Sequence, residues 1–219
     1  MQDPDTVEVA TGDNPVGSII WLHGLGADGH DFEPVVAELK LPANVPLRFI
    51  FPHAPVQPVT INGGMAMRSW YDIVSFDAKG RADREGVLES GALLETLIAR
   101  EVERGIEPNK IVIAGFSQGG AVAIQTALQT DYDIAGLMAL STYMALPDDA
   151  TLARSRKDLP IFMAHGSFDP VLQMAWGRAS ADKLIDVGYA VDWHEYPMAH
   201  AVCAEEIADI SDWLCEIYA

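Results

Sequence analysis

A glycine-flanked serine carries the first chemistry in this chain. In Gly115-Phe116-Ser117-Gln118-Gly119, Ser117 occupies the centre of a G-x-S-x-G pattern. The apolar run Lys110 to Ala114 precedes it and reads as a buried strand; the small-residue run Gly120 to Leu128 follows and reads as a helix. A sharp strand-to-helix turn needs glycine on both sides, and it lifts the serine hydroxyl clear of a sheet as a candidate nucleophile.

A serine hydroxyl needs a general base. Three histidines follow Ser117: His165, His194 and His200. His165 ends the strand-like run Ile161 to Ala164, and His194 falls inside the run Ala190 to Tyr196. Both read as structural. His200 lies in the loop after that last strand, Pro197-Met198-Ala199-His200, where a base could reach back to Ser117. Asp169, in the loop after the preceding strand, is the expected third member. It would hold the imidazole tautomer and stabilise the imidazolium. The other reading of Asp169-Pro170 is a turn that starts the next helix, and the two are compatible. Asp192 and Glu195 are alternatives less well placed, inside a strand.

A tetrahedral intermediate also needs donors for its negative charge. The backbone N–H of Gln118, at the new helix's N-terminus, is one. Leu25 N–H is the second, in the glycine-rich segment His23-Gly24-Leu25-Gly26-Ala27-Asp28-Gly29. Alone, that segment could be a phosphate-cradling turn, but it lacks G-x-G-x-x-G and a following P-loop lysine. A histidine base must be neutral to work, so activity is expected to fail in acid, within about pH 5 to 8.

These residues need a scaffold that brings strand ends together. Apolar runs at Ser18–Leu22, Leu47–Phe51, Ile134–Leu140, Ile161–Ala164 and Ala190–Tyr196 alternate with helical patterns at about Val87–Arg104, Met174–Val187 and Ala201–Ile217. Such alternation predicts an α/β fold, a mostly parallel sheet with helices on both faces and ligands at the carboxyl ends of its strands. The stretch from about 52 to 80 breaks the alternation. It is rich in proline, glycine and aromatics and reads as a functional insertion in a single domain over 1–219, with a short strand within Met67 to Ile73.

Composition narrows the classes further. A chain of 219 residues with 49% hydrophobic and 21% charged residues can bury a full core. A net charge of -18 repels nucleic acid and anionic membrane surfaces. No apolar run reaches transmembrane length, and the acidic start lacks signal-peptide features, so a cytoplasmic protein without stable membrane insertion is expected. Cys203 and Cys215 fall in a segment read as one helix, too far apart for a disulfide, and no Cys/His spacing suggests zinc. Exposed apolar residues in the insertion permit a homodimer without demanding one.

With these positions in place, the sequence resembles the carboxylesterase and acyl-protein thioesterase family, especially bacterial carboxylesterases. The motifs that carry the likeness span most of the chain. They are His23 to Asp28, Phe51-Pro52-His53-Ala54-Pro55, Pro58 to Gly64, Met67 to Asp72, Gly115 to Gly120, Leu140-Ser141-Thr142-Tyr143, His165-Gly166 with Asp169-Pro170, and Tyr196 to His200. The resemblance implies an α/β-hydrolase fold with Ser117 as nucleophile, Asp169 as orienting acid and His200 as base. It also implies oxyanion donors at Leu25 and Gln118, and no cofactor.

The same resemblance implies an acyl pocket built partly from Thr60 to Phe76. Trp70 and Ile73 would line it, with Leu25, Tyr143, Val171 and Leu172 opposite; Trp70 reads equally well as core. Arg68 is either a substrate-carboxylate anchor or a partner of Asp72. Two departures stand out: Leu172-Gln173 after Val171 where the family has further valine and proline, and Ala201 after the base where a small polar residue is common. Both bear on substrate profile more than on the reaction. The expected activity is hydrolysis of short- to medium-chain carboxylic esters through an acyl-serine intermediate, on small-molecule esters and by extension acylated proteins. The alternatives are an acyl-protein thioesterase and, from another class, a non-catalytic binding module of the same fold. The full set of serine, acid, histidine and oxyanion loops argues against the last. A lid-bearing interfacial lipase and a cysteine hydrolase find no matching features.

Overall fold

In a computed structural model, residues 4–75, 82–147 and 157–219 are described. Seven strands form the central sheet: β1 (Thr6–Ala10), β2 (Gly17–Leu22), β3 (Leu47–Pro52), β6 (Ile111–Phe116), β7 (Gly136–Leu140), β8 (Ile161–Gly166) and β9 (Val191–Tyr196). Their order is β1-β3-β2-β6-β7-β8-β9, with β1 antiparallel to β3 and all other pairs parallel. A separate hairpin pairs β4 (Val56–Val59) with β5 (Met65–Arg68). The helices are α1 (Arg84–Glu103), α2 (Gln118–Gln129), α3 (Met174–Asp186) and α4 (Ala204–Ile217). Among the described residues no helix is long and apolar enough to cross a membrane.

The inner strands β2, β3, β6, β7 and β8 are largely apolar at consecutive positions because both faces are covered. Alternate residues of β2 serve opposite cores: Ile20 and Leu22 face the layer of α1, α2 and α3, while Ile19 and Trp21 face α4 and the short turn at Glu33–Ala37. The same period of two divides Ile113 from Val112 in β6 and Met163 from Phe162 in β8. In α1, Val87, Leu94, Leu97 and Ile98 point inward at helical spacing, and Asp83 caps the first turn by accepting from Glu85 and Gly86 N–H. Buried Glu101 anchors α1 to the sheet, accepting from Ser18 Oγ at 2.5 Å, Arg48 at 2.8 Å and Arg104 at 2.8 Å.

The parallel core follows the expected strands to within about two residues, with informative differences. β8 runs on to Gly166, so His165 lies within it. β1 is an unanticipated edge strand, although Val7 and Val9 alternate with Thr6 and Glu8 as a half-covered edge should. The proline-rich loop contains β4, which tolerates Pro58 because a two-stranded ribbon is all edge. The partner strand sits at Met65–Arg68, ahead of most of the expected Met67 to Ile73. α4 begins at Ala204 with Cys203 as its N-cap, so the two cysteines do not share the helix; both are free thiols. Residues 76–81, which include Phe76 and the end of the insertion, lie outside the described residues.

Candidate active site

Ser117 sits between β6 and α2 with φ 53° and ψ −118°, a conformation that costs a non-glycine residue about 1–3 kcal/mol. Local bonds hold it there. Its N–H donates to Leu140 O at 2.9 Å, and its carbonyl accepts from Thr142 Oγ1 at 2.6 Å. The flanking glycines are required by space. A Cβ on Gly115 would lie 2.4 Å from the Gly119 carbonyl, and one on Gly119 would lie 2.5 Å from the carbonyl oxygens of Leu22 and His23.

Three loops at the carboxyl ends of β6, β8 and β9 bring Ser117, Asp169 and His200 together. His200 Nε2 is 2.9 Å from Ser117 Oγ, and His200 Nδ1 is 2.6 Å from Asp169 Oδ2. The other carboxylate oxygen, Oδ1, accepts from Val171 N–H at 2.8 Å and Leu172 N–H at 2.9 Å. A carboxylate only accepts, so the neutral imidazole must carry its proton on Nδ1. That leaves the Nε2 lone pair facing the serine hydroxyl, the geometry needed to take its proton. The Phe116 ring packs against the imidazole, 4.8 Å between centroids.

The other histidines have different partners. His165 is fully buried; its Nε2 donates to Leu172 O at 2.9 Å and lies 3.4 Å from Asp169 Oδ2, and burial lowers its pKa. His194 stacks on Phe162 and lies 2.9 Å from Asp192. Glu195 accepts from Trp193 Nε1, so neither alternative acid is engaged with His200.

The two expected oxyanion donors flank the serine. Gln118 is the first residue of α2, where an N–H has no intrahelical acceptor. Leu25 N–H makes no protein hydrogen bond among the described residues. Its loop passes directly beside Ser117: a Cβ on Gly24 would be 3.5 Å from Ser117 Cβ. His23 shapes this loop, with Nδ1–H donating to Gly24 O at 2.7 Å and Nε2 accepting from Ala54 N–H at 3.1 Å. Burial pushes the His23 pKa down to about 4, so it stays neutral and keeps both bonds.

A cavity of about 280 Å³ opens over Ser117 and His200, lined by Leu25, Tyr71, Ile73, Tyr143, Val171 and Leu172 and also by Asp31 and Phe116. Burial and the neighbouring Asp28 charge raise the Asp31 pKa. Of the expected pocket residues, Trp70 is the exception. It is 1% exposed and turned beneath the site, its Nε1–H donating to His23 O at 2.8 Å, while its neighbour Tyr71 takes the place on the wall. The chain bends at Trp70 and Tyr71 after β5 ends, and the two rings part there. Arg68 binds Ala54 O at 2.8 Å rather than Asp72, whose carboxylate instead holds Thr60 N–H and Oγ.

A nucleophile elbow above a mostly parallel sheet, with an imidazole and a carboxylate delivered from its last two strand ends, defines a serine hydrolase of the α/β-hydrolase fold. Comparison with known proteins narrows the class. The chain belongs to the phospholipase/carboxylesterase family, whose model matches residues 5–217. It is 39% identical over 210 residues to acyl-protein thioesterase 1 of Neurospora crassa, covering 91% of this chain and 86% of that protein. It is 40% identical over 206 residues to the Yarrowia lipolytica protein of the same name, covering 91% of each. Among solved structures, Arabidopsis thaliana SOBER1 aligns with a TM-score of 0.84 at 29% identity, over 93% of this chain and 99% of that one. Zea mays acyl-protein thioesterase 2 aligns with a TM-score of 0.83 at 25% identity, over 99% of this chain and all of that one.

Proposed function

We propose that this serine hydrolase cleaves acyl thioesters, S-acylated proteins included, with Ser117 as nucleophile, His200 as general base and acid, and Asp169 as the orienting carboxylate. The hydrogen-bonded run from Asp169 Oδ2 through His200 to Ser117 Oγ carries the hydrolytic reading. The thioester reading rests on the relatives: proteins 38–40% identical over most of the chain are acyl-protein thioesterases. They favour thioesters over the short- to medium-chain esters expected first.

Ser117 Oγ attacks the acyl carbon as its proton passes to His200 Nε2. The developing oxyanion takes the N–H groups of Leu25 and Gln118. Collapse breaks the C–S bond, and the imidazolium returns the proton to sulfur. A thiol is far more acidic than an alcohol, so this departure needs little help. Water, deprotonated by His200, then attacks the acyl-Ser117 ester and releases the carboxylic acid. Leu25, Tyr71, Ile73, Tyr143, Val171 and Leu172 would receive the acyl chain, making the 52–80 insertion part of the pocket in one domain over 1–219. The free thiols of Cys203 and Cys215 fit a reducing compartment such as the cytoplasm.

Matched esters and thioesters of one acyl chain, together with an S-acylated peptide, test the assignment. The thioester and the peptide should give the higher kcat/KM, and Ser117→Ala should cost of order 10⁶ in turnover. Preference for the oxygen ester throughout the panel would return the enzyme to the carboxylesterase reading. Near-normal turnover in Ser117→Ala would remove Ser117 from its role.

A further inference from the structure

The two proposed oxyanion donors come from distant parts of the chain, yet one segment, Arg68 to Tyr71, is bonded to the surroundings of both. On the Leu25 side it holds the loop on either flank. Trp70 Nε1–H donates to His23 O at 2.8 Å, and Arg68 O accepts from Gly26 N–H at 2.9 Å. On the Gln118 side it clamps the side chain of the donor residue itself. Gln118 Oε1 accepts from Trp70 N–H at 2.9 Å, while Nε2 donates to Tyr71 O at 2.6 Å and to Ser69 Oγ at 3.0 Å. Ser69 Oγ–H in turn donates to Tyr71 O at 2.6 Å, and Ser90 Oγ–H donates to Trp70 O.

His23, Ser69, Trp70, Tyr71 and Gln118 are all 2% exposed or less. Hydrogen bonds in so dry a cluster are stiff, and each group has few alternative partners. The reaction itself uses none of these side chains. A glutamine that needed only to supply its backbone amide would have no use for a fully engaged side chain.

We infer that the Gln118 side chain and Trp70 are positioning residues that use the Arg68–Tyr71 segment to fix the Leu25 and Gln118 amides at the separation an oxyanion requires. The inference rests on the Ser117 reading above.

Trp70→Phe removes the indole donor and keeps the ring; Gln118→Met keeps the volume and removes the amide. Each should lower kcat about 10-fold, since a modest displacement of a preorganised donor costs less than deleting it, with KM within about twofold of wild type. An alkyl trifluoromethyl ketone, which forms a tetrahedral oxyanion adduct on the serine, should bind more weakly by the same factor as the loss in kcat/KM. The matching alkyl methyl ketone should bind as before. The double variant should lose less than the product of the single losses, because both act through one segment.

Turnover within twofold of wild type in the folded variants would overturn the inference. So would a fall in kcat with unchanged affinity for the trifluoromethyl ketone, which is what a merely structural role would give. Should either variant fail to fold, Ser69→Ala removes only the hydroxyl that accepts from Gln118 Nε2 and donates to Tyr71 O, leaving the other bonds of the cluster in place. It should weaken turnover and ketone binding in step by about threefold, and no change in either would equally overturn the inference. Fluorophosphonate labelling of wild-type Ser117, run in parallel, separates the two levels. Absence of label would remove the nucleophile and the inference with it, whereas a labelled wild type with fully active variants defeats the inference alone.

Discussion

Asp169→Asn has an outcome that the hydrogen bonds around this carboxylate dictate. Oδ1 accepts two backbone N–H groups, from Val171 and Leu172, and Oδ2 faces His200 Nδ1 at 2.6 Å. An amide has one oxygen, and the two backbone donors claim it. The NH₂ is then left facing His200, whose Nδ1 must turn acceptor, so the ring proton moves to Nε2. Pointed at Ser117 Oγ, that proton blocks the transfer the reaction needs. Flipping the amide restores the tautomer but strands the buried Leu172 N–H and the part-buried Val171 N–H, at up to about 1–3 kcal/mol each. At about 1.4 kcal/mol per factor of ten, the competent population falls by roughly 30-fold to 10⁴-fold. Loss of the charge that stabilises the imidazolium adds to this, so the upper end is expected.

The measurement is kcat on a chromogenic acyl ester, normalised to active sites titrated with a fluorophosphonate. Circular dichroism should show an unchanged fold, because the substitution preserves shape in a side chain with no exposed surface. Turnover within tenfold of wild type would refute the reasoning. The tautomer of His200 would then be set by something other than Asp169.

Further expectations follow from individual groups. Burial pushes the Glu206 carboxyl up to about 8, the Cys203 amide offsetting only part of the effect. The folded state therefore keeps a proton that the unfolded chain releases above about pH 4.5, and stability falls as pH rises through this window to about 8. Glu206→Gln should flatten that slope, and urea melts at pH 5 and pH 8.5 would show it as a gain confined to the higher pH. His23, held near 4, acts in the opposite sense. The unfolded chain binds its proton below about 6.5 and the folded state does not, so stability rises with pH between about 4 and 6.5, and His23→Gln should remove that rise in the same melts. In Gly166→Ala the new Cβ would lie 2.4 Å from Met198 O and 2.5 Å from Ala199 O, next to the loop of His200. A loss of about 1–3 kcal/mol of stability is expected, with a larger fall in kcat than in substrate affinity.

How much of this was legible in the sequence depended on whether a rule of placement applied. Ser117, Asp169 and His200 could be picked out as candidates because each follows a strand-like run, and parallel strands deliver their carboxyl ends to one rim. Chain order then left few candidates for each position. Strand β1 has only a weak alternation, as edge strands covered on one side do. Trp70 was ambiguous for a different reason. In Ser69-Trp70-Tyr71 both aromatics are large enough for a pocket wall or a core, and only the path of the chain around Gln118 decides which one turns inward. The value of the Gln118 side chain was hidden in the same way, since its partners are two backbone groups and a serine some 47 to 49 residues away.

The site is assembled in two halves, and this explains why local motifs were informative at all. Asp169 and His200 form one half. Ser167 N–H donates to Tyr196 O at 2.8 Å and Phe168 N–H to Met198 O at 3.1 Å, so the loops bearing Asp169 and His200 are tied to each other without help from Ser117. Gly166 lets them approach so closely. Ser117 and the Leu25 and Gln118 amides form the other half, from β2, β6 and the segment after β5, with Gly119 permitting the elbow to lie against the His23 carbonyl. Each half is fixed by short runs that carry their own glycine. The halves meet through the 2.9 Å contact of His200 with Ser117 and the packing of Phe116 on the imidazole. Little else in the site must be specified by residues that no local pattern reveals, and the cavity wall, where Tyr71 displaces Trp70, is the place where such specification remains.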